Sequence, residues 1–348
     1  MTSATEIGAT PGAPQSASGQ PGPHDRPQGS SSHRPRQVLG WVLRNVVWIW
    51  LVALVLGFGL FSQFFLSVMN LQNILVQATV LGLLALAVAL PLLVGEIDLS
   101  LPANLGFSSA IGAWLYASVG GPWWITMLAG VAVATLIGWF NGLCITRLRM
   151  VSLIQTLSMM IVLQGALLAL TQGKTITNLD DGYIWIGSAT LGGWPIMPVI
   201  FVLALLAMSV LLRRTVLGRS IYAVGGNALA SHAAGIRVHR IKIICYALAG
   251  FLAGVAGYLL ASWQIAITSN QGASYLLYAI AAPIIGGVSV FGGRGSVLGI
   301  LGGVLLLTVI QVGLAITNVP SFYVGMIGGV MIFIAVAIDA IRVRFFVQ

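Results

Sequence analysis

The amino-acid sequence predicts an all-α membrane protein, a polytopic bundle of about ten transmembrane helices, and three observations carry that prediction. Of its 348 residues, 58% are hydrophobic and only 7% are charged, whereas a soluble domain carries roughly 25% charged residues. Apolar stretches long enough to cross a bilayer alternate with short polar ones. The 43 glycines favour close helix–helix contact in lipid. A protein with a water-facing globular surface is therefore excluded.

The first 37 residues differ from the rest of the chain. They are polar and rich in Pro, Gly and Ser, without apolar periodicity, so they cannot bury enough surface to offset the entropy of ordering. No short apolar core with a cleavage site starts the chain, which argues against a secretory signal peptide. We expect 1–37 to be a disordered cytoplasmic tail and 38–348 to form the transmembrane domain.

The apolar runs are assigned to spans by length, because a helix needs about 20 residues to cross roughly 30 Å of hydrocarbon. An N-terminus in the cytoplasm, followed by ten crossings, places fifteen of the sixteen cationic residues inside and only Lys174 outside, as the positive-inside rule demands. Both termini are then cytoplasmic. The predicted spans are 44–64, 74–94, 100–119, 123–146, 151–171, 195–212, 243–263, 275–291, 296–317 and 321–341.

The ten spans divide into two sets of five, and an odd number of spans per set gives halves of opposite orientation, as in transporters with inverted repeats. Pro102 in the third span and Pro283 in the eighth then occupy corresponding helices. Each proline is expected to break its helix.

The formal net charge of +9 does not indicate a nucleic-acid partner, because the cations stand at alternate ends of the apolar runs and not on one face. Cys144 and Cys245 lie in or beside apolar runs, without metal-ligand spacing, and are expected to be packing residues. The sequence therefore implies neither a metal nor a cofactor.

The spans hold few ionisable side chains. Glu96 and Asp98 are expected at one cytoplasmic end and Asp339 at another, whereas ion-coupled transporters usually need such groups near mid-membrane. The Gly-rich stretch 292–296 lacks the spacing and the Lys of a phosphate-binding loop. We predict no enzyme, so the energy for any pumping must come from a partner.

The inner loop 213–242 is the most informative connection. Asn227 can cap a helix, the Ala-rich run that follows favours one, and Gly235 can end it in the left-handed conformation. This predicts a helix of about two turns outside the membrane, either a docking element for another protein or a plain connector. His232 has no second ligand nearby and is expected to be a surface histidine. The candidate docking residues are Gly226, Asn227, Ala230, His232, Ala234, Gly235 and Ile236.

Residues next to the start of the third helix predict how that helix begins. Asp98 or Ser100 is expected to cap the third helix, whose first turn accepts Pro102. Three small-residue pairs predict helix-packing faces: Gly250 with Gly254, Gly295 with Gly299, and Gly325 with Gly329. Neutral polar residues inside spans either contact an uncharged polyol or bond between helices, and these candidate path residues are Gln77, Gln155, Thr156, Ser158, Gln164 and Gln311.

Taken together, these segments resemble the ribose-type permeases, the transmembrane subunits of binding-protein-dependent ABC importers of simple sugars. The resemblance runs from about residue 44 to 341 and depends most on 95–100, 218–236 and 280–296. It implies a bacterial inner-membrane protein that works with a cytoplasmic ABC ATPase, an extracytoplasmic sugar-binding protein and a second permease subunit, identical or different. It also implies that the loop 213–242 carries the helix that couples to the ATPase.

Two departures from the family pattern leave the substrate open. Leu101-Pro102-Ala103 stands where the family usually has Val-Gly-Ser, and 152–159 replaces the usual Pro-Phe-Ile-Val-Thr-Leu-Gly-Thr. A branched-chain amino-acid permease is the main alternative, although a substrate carboxylate would favour a cation in mid-span and the sequence has none there. A passive channel and a purely structural membrane protein are the remaining alternatives.

Overall fold

The computed structural model describes residues 33–177 and 179–317, with isolated positions between 320 and 334, and its side chains from residue 45 onward. Helices dominate, so the predicted helical bundle is confirmed. A single short hairpin joins β1 (Thr190–Leu191) and β2 (Trp194–Pro195) within the described residues. The helices are α1 His33–Phe61, α2 Val68–Leu93, α3 Leu101–Val119, α4 Trp123–Arg147, α5 Ser152–Thr171, α6 Asp181–Ser188, α7 Met197–Arg214, α8 Val216–Gly226, α9 Ala228–Ala233, α10 Val238–Gln264, α11 Leu276–Ile285 and α12 Val297–Ile316.

Among the described residues, six helices are long and apolar enough to cross a membrane: α2, α4, α5, α7, α10 and α12. Shorter apolar helices cover Asn45–Phe61 and Ala273–Ile285. The third predicted span coincides with α3, whose 19 residues include buried polar side chains such as Asn104 and Ser108. Most of the tenth, 321–341, and most of the tail 1–37 lie outside the described residues. A total of ten spans therefore stays a prediction.

Helix α2 forms the centre of the bundle. Every residue from 78 to 93 is buried, and α10, α12, α7 and α11 pack around it. Apolar side chains fill this interior, including Leu84, Leu86 and Leu90, none of which is exposed. Because protein interiors pack as densely as organic crystals, the centre of this chain is a solid core.

Helices α4 and α10 pack closely against each other. Gly138 of α4 meets the backbone of Gly250, and Gly254 lies against Val131. Small residues let two backbones approach in this way, so the face formed by Gly250 and Gly254 packs within the subunit.

Two predictions about helices are corrected, and one helix is additional to those predicted. Pro102 lies in the first turn of α3, where proline is pre-organised for a helix start. The prediction that the first turn accepts Pro102 is therefore confirmed, and the expectation that Pro102 breaks this helix is wrong. The predicted span 275–291 is a helix of ten residues that ends at Ile285, because Gly287 turns the chain with a φ of 86°. Helix α8 was not predicted.

The long connection between α5 and α7 is also ordered in its described part. Asp180 caps α6 by accepting hydrogen bonds from the amides of Gly182 (3.0 Å) and Tyr183 (3.2 Å). A hydrogen bond from Tyr116 and these amides hold the pKa of Asp180 below its usual value. The ring of Tyr183 packs edge-on against Tyr258, with centroids 5.2 Å apart. Helix α6 is therefore fixed onto α3 and α10.

Candidate functional site

Three short backbone segments meet at one end of the bundle: the end of α2 and the turn after it (93–95), the last two residues of α8 (225–226) and the loop 292–293. They lie in or directly beside the three segments that carry the family resemblance and are called the junction below. The amide of Gly293 donates to the carbonyl of Leu93 at 3.0 Å. A Cβ atom on Gly225 would collide with the same carbonyl oxygen, so the contact requires glycine there.

The inner segment, Glu96–Ser100, leads from the junction into the bundle. Oδ1 of Asp98 accepts hydrogen bonds from the amide of Ser100 (2.9 Å) and from its hydroxyl (2.6 Å), whereas Oδ2 has no partner in the described structure. Asp98 is 1% exposed, so its side chain is buried, whereas its place at a cytoplasmic end of the bundle stays a prediction. Ser100 stands at the N-cap of α3 without a capping side-chain bond, so the predicted side-chain cap is wrong. The carboxylate of Asp98 instead accepts from the amide two residues further on, which forms an Asx turn that ends at Ser100.

Buried amides and hydroxyls connect the inner segment to α4 and α5. Asn141 of α4 donates to the hydroxyl of Ser100 at 2.9 Å. Gln155 of α5 donates to the amide oxygen of Asn141 at 3.3 Å. Thr156 accepts from the amide of Leu99 at 3.2 Å. Gln155 and Thr156 therefore bond between elements, one of the two roles that the sequence left open for them.

Helix α10 contacts the inner segment from the side opposite to α4 and α5. Lys242 forms an ion pair with Glu96, and the hydroxyl of Tyr246 donates to the carbonyl of Ile97 at 3.3 Å. The charged side chains are 20% and 15% exposed, so water screens this pair less than it screens a surface pair. It is the one salt bridge in the part of the chain that the structure describes.

Helix α9 has the predicted start and end. Its N-cap is Asn227, whose side chain accepts from the amide of Ala230 at 2.9 Å. Gly235 follows its last turn with a φ of 83°. The amides of Gly235 and Ile236 bond back to the carbonyls of His232 and Ser231, each at 3.0 Å, which is the Schellman motif.

The outward face of α9 consists of small side chains, one histidine and one large apolar side chain. Ala230, His232 and Ala234 are exposed, whereas Ser231 is buried. Leu229 is 85% exposed. The sequence analysis missed Leu229, although a single large apolar residue in a small-residue run outside the spans could have identified it.

The remaining predicted path residues lie apart from the junction. Gln77 and Gln311 are half-buried on α2 and α12, and Gln77 donates to Asn73 at 3.1 Å. Ser158 and Gln164 are exposed on α5. They belong to a stripe along the free face of α5 that comprises Ile154, Ser158, Ile161, Gln164 and Leu168, all of them exposed.

Two features of the network around the inner segment were also not predicted from the sequence: the role of Asn141 and the pairing of Glu96 with Lys242. Asn141 is a neutral polar residue inside a span, the same signal that identified Gln155, and it could have been found in that way. The pairing of Glu96 with Lys242 spans 146 residues of sequence, and no local pattern indicates it.

The fold and this site define the class of protein: a polytopic membrane protein with an exposed helix outside its apolar spans. The sequence model of one family, described as "Branched-chain amino acid transport system / permease component", matches residues 70–336. The chain belongs to this family of transport permeases.

Relatives within the family are similar over most of their length. The chain is 38% identical to the Ribose import permease protein RbsC of Bacillus subtilis over 291 residues, which cover 83% of this chain and 90% of that protein. It is 33% identical to the L-arabinose ABC transporter permease protein AraH of Azospirillum brasilense, with 87% and 89% covered. It is also 33% identical to the Galactose/methyl galactoside import permease protein MglC of Escherichia coli, with 80% and 88% covered.

Proposed function

We propose that this chain is the transmembrane subunit of an ABC importer and carries a simple sugar across the bacterial inner membrane. Relatives named for ribose, arabinose and galactose support the substrate class. A cytoplasmic ABC ATPase supplies the energy, and an extracytoplasmic sugar-binding protein delivers the substrate. The chain itself has no catalytic role.

The single observation that carries this proposal is helix α9. It lies in the loop 213–242, its cap and its Schellman motif fix both ends, and its small residues present a smooth face to solvent. Such a face fits the groove of another protein sterically, and Leu229 adds apolar area at 85% exposure. Exposed apolar side chains at fixed positions are typical of interaction sites. We assign α9 as the docking helix for the ATPase, with Gly226, Asn227, Ala230, His232, Ala234, Gly235 and Ile236 in or beside it.

The sugar path runs along the free face of α5 and is completed by a second permease subunit, identical or different. The core around α2 is solid and apolar, so it offers an uncharged polyol no hydrogen bonds. Ser158 and Gln164 of the α5 stripe offer neutral donors and acceptors on an exposed face. Gln77 and Gln311 lie on α2 and α12 and contribute less to the path. Gln155 and Thr156 are buried and hold α5 in place from the side that faces the bundle.

The topology that this function requires is ten spans with both termini in the cytoplasm, arranged as two inverted halves of five. The docking helix and the junction are then cytoplasmic. Helix α6 and the β1–β2 hairpin face the binding protein, and the hairpin is tied to the bundle by a hydrogen bond from Gln72 to the carbonyl of Gly193 at 2.7 Å.

Co-purification tests the proposal. The tagged chain is co-expressed with an ABC ATPase and a sugar-binding protein from the same organism, and is then extracted in detergent. We expect the ATPase to co-purify with the chain and the isolated binding protein to retain a pentose or hexose identifiable by mass spectrometry. A chain that captures no ATPase, even after chemical cross-linking in membranes, would contradict the importer role.

A branched-chain amino acid is the second candidate substrate, because the family description names that class. The same binding protein distinguishes the two candidates: retained leucine, isoleucine or valine, with no sugar, would replace the sugar by an amino acid and leave the importer role intact.

A further inference from the structure

The docking helix and the path helix α5 are far apart in sequence, yet the inner segment Glu96–Ser100 connects them. Helix α9 leads through 234–237 directly into α10, and Lys242 lies in the second turn of α10. A displacement of α9 against its partner therefore acts first on the part of α10 that carries Lys242.

From α10 the contacts continue into the inner segment. Lys242 pairs with Glu96, and the hydroxyl of Tyr246 donates to the carbonyl of the next residue, Ile97, at 3.3 Å. Both side chains of the ion pair are mostly shielded from water, so the attraction is screened less than at a surface. The pair therefore holds the start of the inner segment to α10.

The inner segment is in turn hydrogen-bonded to α5. The amide of Leu99 donates to Thr156 at 3.2 Å, and the amide of Ile97 lies 3.5 Å from the hydroxyl of Ser152. Thr156 is fully buried, whereas Ser158, two residues further on, belongs to the exposed stripe. A shift of the inner segment would therefore move the helix that presents Ser158 and Gln164.

We infer that Glu96 and Lys242 are positioning residues whose ion pair transmits the movement of the docking helix to α5. This inference rests on the proposed function and adds to it the element that joins ATP hydrolysis to the opening of the path. The pair does not contact the sugar. Its effect is to make α10 and the inner segment move together.

The test measures coupling separately from folding. Full-length chain, ATPase and binding protein are reconstituted in proteoliposomes, with radiolabelled D-ribose, L-arabinose and D-galactose as parallel probes. The readout is the coupling ratio, the number of sugar molecules taken up per ATP hydrolysed. Glu96→Gln and Lys242→Gln should each lower this ratio about fivefold or more, the lower limit of typical coupling between sites, while the ATPase still co-purifies.

Two further variants test whether the change in the coupling ratio depends on the ion pair itself. The exchange Glu96→Lys with Lys242→Glu restores opposite charges and should recover at least about half of the lost ratio, as expected of residues that interact. Arg147→Gln removes an exposed cation from the last turn of α4 and should leave the ratio unchanged.

The outcomes separate the inference from the proposed function. If the unaltered complex assembles but shows neither uptake of any of the three sugars nor ATP hydrolysis stimulated by the binding protein, the proposed importer role fails and, with it, this inference. If the unaltered complex transports and the single variants lose thermal stability but keep a normal ratio, the pair is only a structural brace and the inference is wrong. An assembled charge-exchange variant that recovers nothing would also overturn it.

Discussion

Asp98 is a buried ionisable residue, 1% exposed, whose Oδ1 accepts hydrogen bonds from the amide and the hydroxyl of Ser100. The sequence indicates a carboxylate next to a helix start, and capping is the ordinary role of such a residue. The structure buries it and turns it onto Ser100, with Oδ2 unpartnered. Because the neighbours that enclose Asp98 come from distant parts of the chain, local sequence could not predict its burial.

Replacing Asp98 separates its hydrogen bonds from its charge. Asp98→Asn keeps an oxygen that accepts both bonds from Ser100 and removes a buried charge, which is costly without a partner. We expect its thermal stability to equal or exceed that of the unaltered protein. Asp98→Ala removes the same charge but also loses both bonds, so it should be less stable than Asp98→Asn by about 2 kcal/mol, at about 1 kcal/mol for each bond.

Thermal unfolding in detergent, monitored by intrinsic fluorescence, measures both variants. Equal destabilisation by Asn and Ala would show that the negative charge itself is required, against the expectation for this site.

The junction provides a second test at the scale of single residues. Gly225→Ala would place a Cβ against the carbonyl of Leu93 and should destabilise the fold by about 1–3 kcal/mol, the usual cost of overpacking. Gly226→Ala is the matched control, because a Cβ at Gly226 has no heavy atom within 4 Å, and its stability should be unchanged. Size-exclusion chromatography after graded heating measures the folded fraction. Equal loss in both variants would contradict the close contact.

At the scale of whole elements, the sequence predicted the long apolar helices well. For example, 151–171 was predicted for α5 and Ser152–Thr171 is observed, because length and hydropathy are sufficient to define a span.

The sequence did not predict the elements whose position depends on tertiary contacts. Helix α8 is fixed by the packing of Gly225 at the junction and by a hydrogen bond from Tyr222 to the carbonyl of Gly295 at 2.9 Å, and neither contact leaves a pattern in local sequence.

Helix α9 is the element on which the proposed function depends most. Ala230→Trp or Ala234→Trp should overfill the partner's groove, and Gly235→Val should strain the left-handed end of the helix. We expect normal membrane insertion with lost ATPase association, or with ATP hydrolysis uncoupled from uptake. His232→Ala should change both by much less, since His232 has no assigned chemical role.

Sugar uptake, measured together with ATPase co-purification, decides the outcome for each α9 variant. Trp variants that assemble and transport normally, together with a His232→Ala variant that fails, would show that α9 does not dock in the way proposed.

At the scale of the whole molecule, the helical bundle and the family are established, whereas the number of spans and the orientation stay predictions. Ten spans place Gln348 in the cytoplasm. A reporter active only in the cytoplasm should therefore be active when fused there, and one active only outside should be silent. The reverse result would overturn the ten-span topology, because an odd number of spans moves one terminus across the membrane.

The central claim is that this chain provides the path by which a partner ATPase drives a sugar into the cell. The most direct measurement is the uptake of radiolabelled D-ribose, L-arabinose and D-galactose by proteoliposomes that contain the chain, its ATPase and its binding protein, with ATP on the ATPase side. We expect accumulation of one of these sugars above its external concentration, dependent on all three proteins and abolished by a non-hydrolysable ATP analogue. Equilibration of the sugar at the same rate without ATP would instead indicate a passive channel and would contradict this account.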